Sequence, residues 1–193
     1  MTTYSLADLG WSDDDALAGL DDLPMRVAAV HRGHVDLLGP DRAMSLPSGG
    51  RALAVGDWVT VVDGRIADLL PRRTELMRRA AGGGATAQLI AANVDTLGIV
   101  TSCNADFSIA RLERYLVLCA QAGCLPLVVL TKSDLCDDPG RYRREAERLS
   151  PLVTALTVDA RDVADARSLD PWCRAGQTLA LVGMSGVGKT TLQ

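Results

Sequence analysis

The stretch Gly183-Met184-Ser185-Gly186-Val187-Gly188-Lys189-Thr190 fits the pattern G-x-x-x-x-G-K-[ST]. Each fixed position of that pattern has a chemical reason. The glycines let successive backbone N–H groups turn inward around the α- and β-phosphates of a nucleotide. A helix starting there adds its positive dipole end. Lys189 is expected to reach the β- and γ-phosphates, and the Thr190 hydroxyl, next to Thr191, to coordinate Mg²⁺. An apolar run, Thr178–Val182, leads directly into the loop, as a strand feeding a phosphate site would.

Thr131-Lys132-Ser133-Asp134 resembles the N-K-x-D element that reads guanine. A carboxylate at Asp134 can accept from N1–H and from the 2-amino group of guanine. Adenine lacks that amino group, so the wrong base leaves a buried acceptor unpaired. The Lys132 stem is expected to lie along the base plane. Thr131 stands where the element has Asn, and its shorter hydroxyl is expected to loosen the hydrogen bonds on the base side. Lys132 and Lys189 are the only lysines in the chain, and each falls inside one of these two motifs.

Other matches are weaker. Asp137-Asp138-Pro139-Gly140 has the D-x-x-G spacing of a switch loop, but Asp138 as a helix N-cap with Pro139 in the first turn explains it better. Asp36-Leu37-Leu38-Gly39 falls in a β-like segment and is set aside on that ground. His31 and His34 flank a hairpin turn and read as surface residues, with no carboxylate or cysteine placed to complete a triad or metal site. Trp58 reads as barrel core.

The elements that position these motifs come in two textures. From 25 to 70 there are short β-like runs: Met25–His31, His34–Leu38, Trp58–Val62 and Arg65–Leu70. Asp63-Gly64 between the last two is a tight-hairpin signal, and Pro47-Ser48-Gly49-Gly50 marks a loop. Several short strands in so short a span suggest a small β-barrel. Residues 1–24 read as an acidic arm that could hold a short helix over 5–20. Residues 72–87, rich in arginine and containing Gly82-Gly83-Gly84, read as a linker. Beyond 88 the rhythm is strand and helix in alternation. Val94–Thr101, Leu125–Leu130, Leu152–Val158 and Thr178–Val182 are the strands. One helix runs from a Ser108 cap to Gly123 and another covers Pro139–Leu149. This alternation implies a parallel sheet with both motifs at the carboxyl ends of its strands.

The 193 residues are 48% hydrophobic and 23% charged, the profile of a globular protein with a real core. No apolar run reaches membrane length, and the N-terminus lacks a secretory pattern. Five cysteines without a C-x-x-C pair suit free thiols in a reducing cytoplasm. Aromatics at 4% supply few stacking surfaces for single-stranded nucleic acid. The net charge of −4 is uneven: six aspartates and no basic residue in 1–25, then nine arginines against six acids in 26–90. That basic bias permits nucleic-acid contact without requiring it.

The order of the motifs is reversed relative to Ras-like GTPases, because the base-reading element precedes the phosphate loop. With Val55-Gly56-Asp57-Trp58-Val59, Leu70-Pro71-Arg72, Ala92-Asn93-Val94-Asp95, Arg111-Leu112-Glu113-Arg114-Tyr115-Leu116 and Ser185-Gly186-Val187-Gly188-Lys189, the chain resembles the ribosome small-subunit-dependent GTPase A (RsgA) family from about Leu6 onward. The resemblance implies an OB-fold β-barrel at 25–71, followed at 88–193 by an incomplete α/β P-loop GTPase domain of circularly permuted motif order. It implies GTP and GDP with Mg²⁺ as ligands, held by Thr131 to Asp134 and Gly183 to Thr191. It further implies GTP hydrolysis stimulated by the 30S subunit, binding to that subunit and to 16S rRNA in its late maturation, and a cytoplasmic, monomeric protein. The family's base-backing Ser-Ala loop would fall at Val158-Asp159-Ala160, with Asp in place of Ser. The chain is expected to stop before the family's switch loops and its zinc-binding C-terminal domain. No catalytic residue is therefore named, zinc is expected only in that further domain, and little hydrolysis is expected from these residues alone. Two other functions fit the same motifs: a P-loop ATPase in which Thr131–Asp134 is accidental, and an RNA-binding barrel with a vestigial nucleotide site.

Overall fold

The computed structural model of the protein describes residues 4–12, 23–79 and 87–193. They fall into two compact units, one of residues 1–94 with 174–178, the other of residues 95–173 with 179–193.

The first unit is built on strands β1 (Met25–Val30), β2 (His34–Gly39), β3 (Arg42–Pro47), β4 (Trp58–Val62) and β5 (Arg65–Leu69). They form one antiparallel sheet in the order β3-β2-β1-β4-β5. Its edge strands β3 and β5 approach each other, so the sheet curls towards the five-stranded barrel the sequence suggests. Alternation does the sorting. Met25 and Val27, Val35 and Leu37, and Val59, Val61 and Ile66 share one buried cluster. Trp58 is buried, as read from sequence.

β3 carries no signal that pattern reading could use. None of its residues is fully buried, and it ends on Pro47, which an edge strand tolerates. The segment read as a linker also differs from expectation. Glu75–Arg79 is strand β6, paired with β7 (Ala87–Ala92) in an antiparallel ribbon where, among the residues whose burial is described, only Leu76 and Ala92 are buried. Two buried positions are too few to show a period. The glycines at 82–84 lie outside the described residues. Of the acidic helix expected at 5–20, residues 6–10 form turns instead, Leu9 N–H donating to Leu6 O and Trp11 N–H to Leu6 O, and residues 13–22 lie outside the described set.

An ion pair joins this unit's segments. Asp57 is fully buried, and Arg72 grips its carboxylate with two nitrogens, Nε to Oδ1 at 2.6 Å and Nη2 to Oδ2 at 2.9 Å. Asp57 Oδ2 also accepts from Ala54 N–H at 2.8 Å. Arg72 further donates to Ala52 O and Glu75 Oε1. The hydrogen bonds and charge of Asp57, with a smaller share from Glu75, hold its guanidinium more firmly protonated than usual and outweigh the burial that opposes its charge.

The second unit has four parallel strands, β8 (Thr96–Ser102), β9 (Leu125–Thr131), β10 (Thr154–Val158) and β11 (Leu179–Gly183), ordered β10-β9-β8-β11. Every residue of β8 is buried, the continuous apolar texture of a strand covered on both faces. Among the described residues β11 pairs with β8 alone and forms one edge.

Helix α1 (Ile109–Ala122) turns Leu112 and Cys119 inward and ends on Gly123 at φ 77°. Ser108 occupies its N-cap position, but its hydroxyl makes no capping bond, so the cap expected from residue type is one of position only. In α2 (Pro139–Glu147) the cap is complete: Asp138 accepts from Arg141 N–H, with Pro139 in the first turn. Asp138→Ala is accordingly expected to cost about 1 kcal/mol in a urea melt, and an unchanged midpoint would contradict the cap. A short helix α3 (Val163–Ala166) and a 3₁₀ segment (Arg167–Trp172) follow β10 and were not foreseen. All five cysteines are free thiols, and burial pushes Cys103 up to about 11. Among the described residues, no helix is long and apolar enough to cross a membrane.

Candidate functional site

In a parallel sheet all strands point the same way, so the loops after β9, β10 and β11 open at one edge. β9 ends at Thr131, paired with Ser102 of β8 on one side and Val158 of β10 on the other. β11 ends at Gly183, opposite Val100. The two motifs separated in sequence therefore share one cleft of about 230 Å³. It is lined by Thr131, Lys132 and Asp134 from the first, Gly186, Gly188 and Thr191 from the second, and Asp159 to Arg161 from the loop after β10.

The phosphate loop is anchored from below. Val187 is 1% exposed and belongs to the cluster of Val100, Leu127, Val129, Val158 and Leu169. With its side chain in the core, its neighbours are turned outward. Gly186 at φ 79° and Gly188 at φ 93° adopt the left-handed conformation, and nothing lies within 4 Å of where a Cβ on Gly186 would stand. That open, glycine-lined concavity fits a bound phosphate. At Gly183 the constraint is steric, since a Cβ would meet Val100 O at 2.2 Å. The Lys189 ammonium donates to Gly183 O at 3.1 Å and Met184 O at 2.6 Å, across the mouth of its own loop. Lys189–Thr191 forms a single 3₁₀ turn in which Thr190 is exposed. Met184 and Ser185 are exposed at the rim.

Thr131 behaves differently from its sequence reading. It is 0% exposed, and its hydroxyl lies 2.7 Å from Val187 O and 3.0 Å from Thr101 O. A hydroxyl has one proton, and the shorter contact is to the phosphate loop. Thr131 thus commits its hydroxyl proton to the phosphate loop. It fastens the base-reading segment to the phosphate-binding one, a span a short β-branched side chain closes because Gly188 packs against it. Thr131→Val keeps the shape and removes the donor. It is expected to cost about 1–3 kcal/mol and to weaken any ligand that needs both loops; thermal unfolding and ligand titration of the variant would check this.

After Thr131 the chain turns sharply. Lys132 has φ 57°, and Ser133–Leu135 forms a 3₁₀ turn that brings Asp134 to the cleft. The Asp134 carboxylate is held by Arg161, a residue the sequence reading passed over. Arg161 also lies 3.5 Å from Asp159, whose carboxylate accepts from the Arg161 backbone N–H at 2.9 Å. Asp165 accepts from Asp159 N–H at 2.6 Å and so fixes the loop from the side of α3. The signal for Arg161 was present: it follows Asp159-Ala160, the pair read as the base-backing loop.

Comparisons with known proteins point to one family. The family model described as RsgA GTPase matches residues 69–193. The chain is 48% identical over 198 residues to a protein of Mesorhizobium japonicum named small ribosomal subunit biogenesis GTPase RsgA, with 97% of this chain and 57% of that one covered. It is 46% identical over 149 residues to RsgA 2 of Vibrio parahaemolyticus, with 77% and 40% covered. The chain spans about half the length of the curated relatives it matches. Among solved structures, YjeQ from Thermotoga maritima superposes with a TM-score of 0.68 at 23% identity, over 88% of this chain and 63% of that one. YloQ, described as a circularly permuted GTPase, gives 0.58 at 22% identity, over 91% and 65%. These two likenesses show the fold.

Proposed function

The chain belongs to the RsgA GTPase family, and from that premise we propose that it binds GDP and GTP in the cleft between Thr131–Asp134 and Gly183–Thr191. Asp134 reads the N1–H and amino group of guanine, and Lys132 covers the base while Ser133 carries the turn between them. The amides of Gly183, Met184, Ser185, Gly186, Val187 and Gly188 surround the phosphates, with the Lys189 ammonium on the terminal ones. Thr190, exposed beside the glycine-lined concavity, is the residue that would hold Mg²⁺. When bound, that ion neutralises phosphate charge. Thr131 and Asp159 position the loops around the nucleotide.

In the whole protein we assign this site to GTP hydrolysis in the biogenesis of the small ribosomal subunit, the role printed for its relatives. The finer reading is a monomeric cytoplasmic factor acting on the 30S subunit through 16S rRNA, with residues 25–71 as the barrel and 88–193 as the nucleotide-binding part. The observation that supports the nucleotide assignment is the contact of Thr131 with Val187, which joins the segment read as base-recognising to the one read as phosphate-binding. The test is equilibrium titration of the chain with fluorescent GDP and ADP. GDP is expected to bind and ADP not to compete, and Lys189→Ala is expected to weaken GDP about tenfold to hundredfold. Equal binding of ADP would replace guanine recognition with a general nucleotide site. Failure of both to bind would remove the nucleotide assignment.

A further inference from the structure

The hairpin joining β1 to β2 gathers the chain's two histidines. Arg32-Gly33 makes the turn, with Gly33 at φ 88°, and His31 N–H donates to His34 O at 2.9 Å. That register sets the two imidazoles opposite each other, stacked at 4.5 Å between centroids and 16° between planes. Residues two apart on a strand share a face, so Asp36 joins them on the outer side of β2, while Val35 and Leu37 point into the core. His31 Nε2 lies 2.8 Å from Asp36 Oδ2. This carboxylate corrects the sequence reading, which found none placed beside the histidines: separated by five residues in sequence, it is brought there only by the Ala29–Asp36 pairing.

We propose that His31, His34 and Asp36 form a binding site for a divalent transition-metal ion of the zinc class. One ligand atom from each lies within 4.8 Å of the other two. Metal–ligand bonds of about 2.0–2.2 Å put neighbouring ligand atoms of a tetrahedral site somewhat over 3 Å apart, so small side-chain rotations bring all three into range. Two imidazole nitrogens and one carboxylate select zinc, cobalt, nickel or copper over magnesium and calcium. Three protein ligands leave a fourth position for water.

The carboxylate has an outer support. Ser45 stands opposite Asp36 in the β2–β3 register, on the same outer face, where its hydroxyl can support the carboxylate. Partners of this kind orient a ligating carboxylate. The site lies outside residues 69–193, which the family model matches, and shares no residue with the nucleotide cleft.

The test is titration of the metal-free chain, without nucleotide, with Zn²⁺ by calorimetry and with Co²⁺ by absorption, at mildly alkaline pH. About one equivalent is expected to bind with micromolar affinity. The cobalt form is expected to show visible d–d bands and no thiolate charge-transfer band. His34→Ala is expected to weaken binding at least about a hundredfold and Ser45→Ala about tenfold. Circular dichroism should be unchanged for both, since both side chains are exposed. Absence of Zn²⁺ binding in the micromolar range, binding that survives His34→Ala, or a thiolate band would each overturn the site and leave His31 and Asp36 as a simple surface ion pair.

Discussion

Asp134→Asn is expected to lower GDP affinity by about 10²–10⁴-fold, because two hydrogen bonds to a charged acceptor are lost or turned into repulsive contacts. An amide presents one acceptor and one N–H₂ group. Facing guanine, the N–H₂ group opposes the 2-amino group. Facing xanthine, which carries a carbonyl at that position, it has a partner. The variant is therefore expected to bind xanthosine diphosphate better than GDP, the reverse of the parent. Arg161 sharpens the expectation. In the ligand-free protein its guanidinium sits on Asp134 while itself 69% exposed, so it can swing away for a base at small cost. Replacing Asp134 frees Arg161 as well, and a loss of base selectivity with phosphate affinity retained would separate the two effects. Equal GDP binding by parent and variant would mean that Asp134 does not read the base.

The second large effect lies in the other unit. Arg72→Met is expected to destabilise the β1–β5 sheet by about 3–5 kcal/mol, the cost of stranding a buried carboxylate. Asp57 is 0% exposed and has no other cation within the contacts described, while Arg72 also fastens Ala52 and Glu75. The double variant Arg72→Met, Asp57→Asn should recover part of that loss. The charge is then gone, yet an amide oxygen can still accept from Ala54 N–H. Amide exchange in β1, β2 and β4 against urea would measure both. A single variant within about 1 kcal/mol of the parent would show that the pair contributes little to the fold.

Legibility from sequence followed burial. β4, β8 and β9 bury apolar runs and β11 half-buries one, and pattern reading finds all four within a residue or two. β3, β6 and β7 turn few side chains into a core and are held by backbone pairing, which leaves no trace in residue type. The site divides the same way. The phosphate loop and Asp134 are written in residues that a ligand would need. The role of Thr131 is set by Val187, 56 positions away, and that of Arg161 by Asp134, so neither could be read until the strands were placed side by side. Asp36 beside the histidines is the same lesson on the scale of one hairpin.

The edge position of β11 bears on how the chain comes to be folded during synthesis. β8 is the first strand of its sheet to leave the ribosome that makes it, and its neighbour on one side is the last of the four. Until β11 arrives, that flank of a fully buried strand shows open N–H and C=O groups beside apolar side chains. Pairings between distant segments close slowly, so the interval is one in which the nascent chain is most exposed to misassociation. The phosphate loop is delivered by that same final step. Its carbonyl partner for Thr131 therefore appears only once these four strands are joined, and a chain halted before β11 has no finished nucleotide pocket to fill.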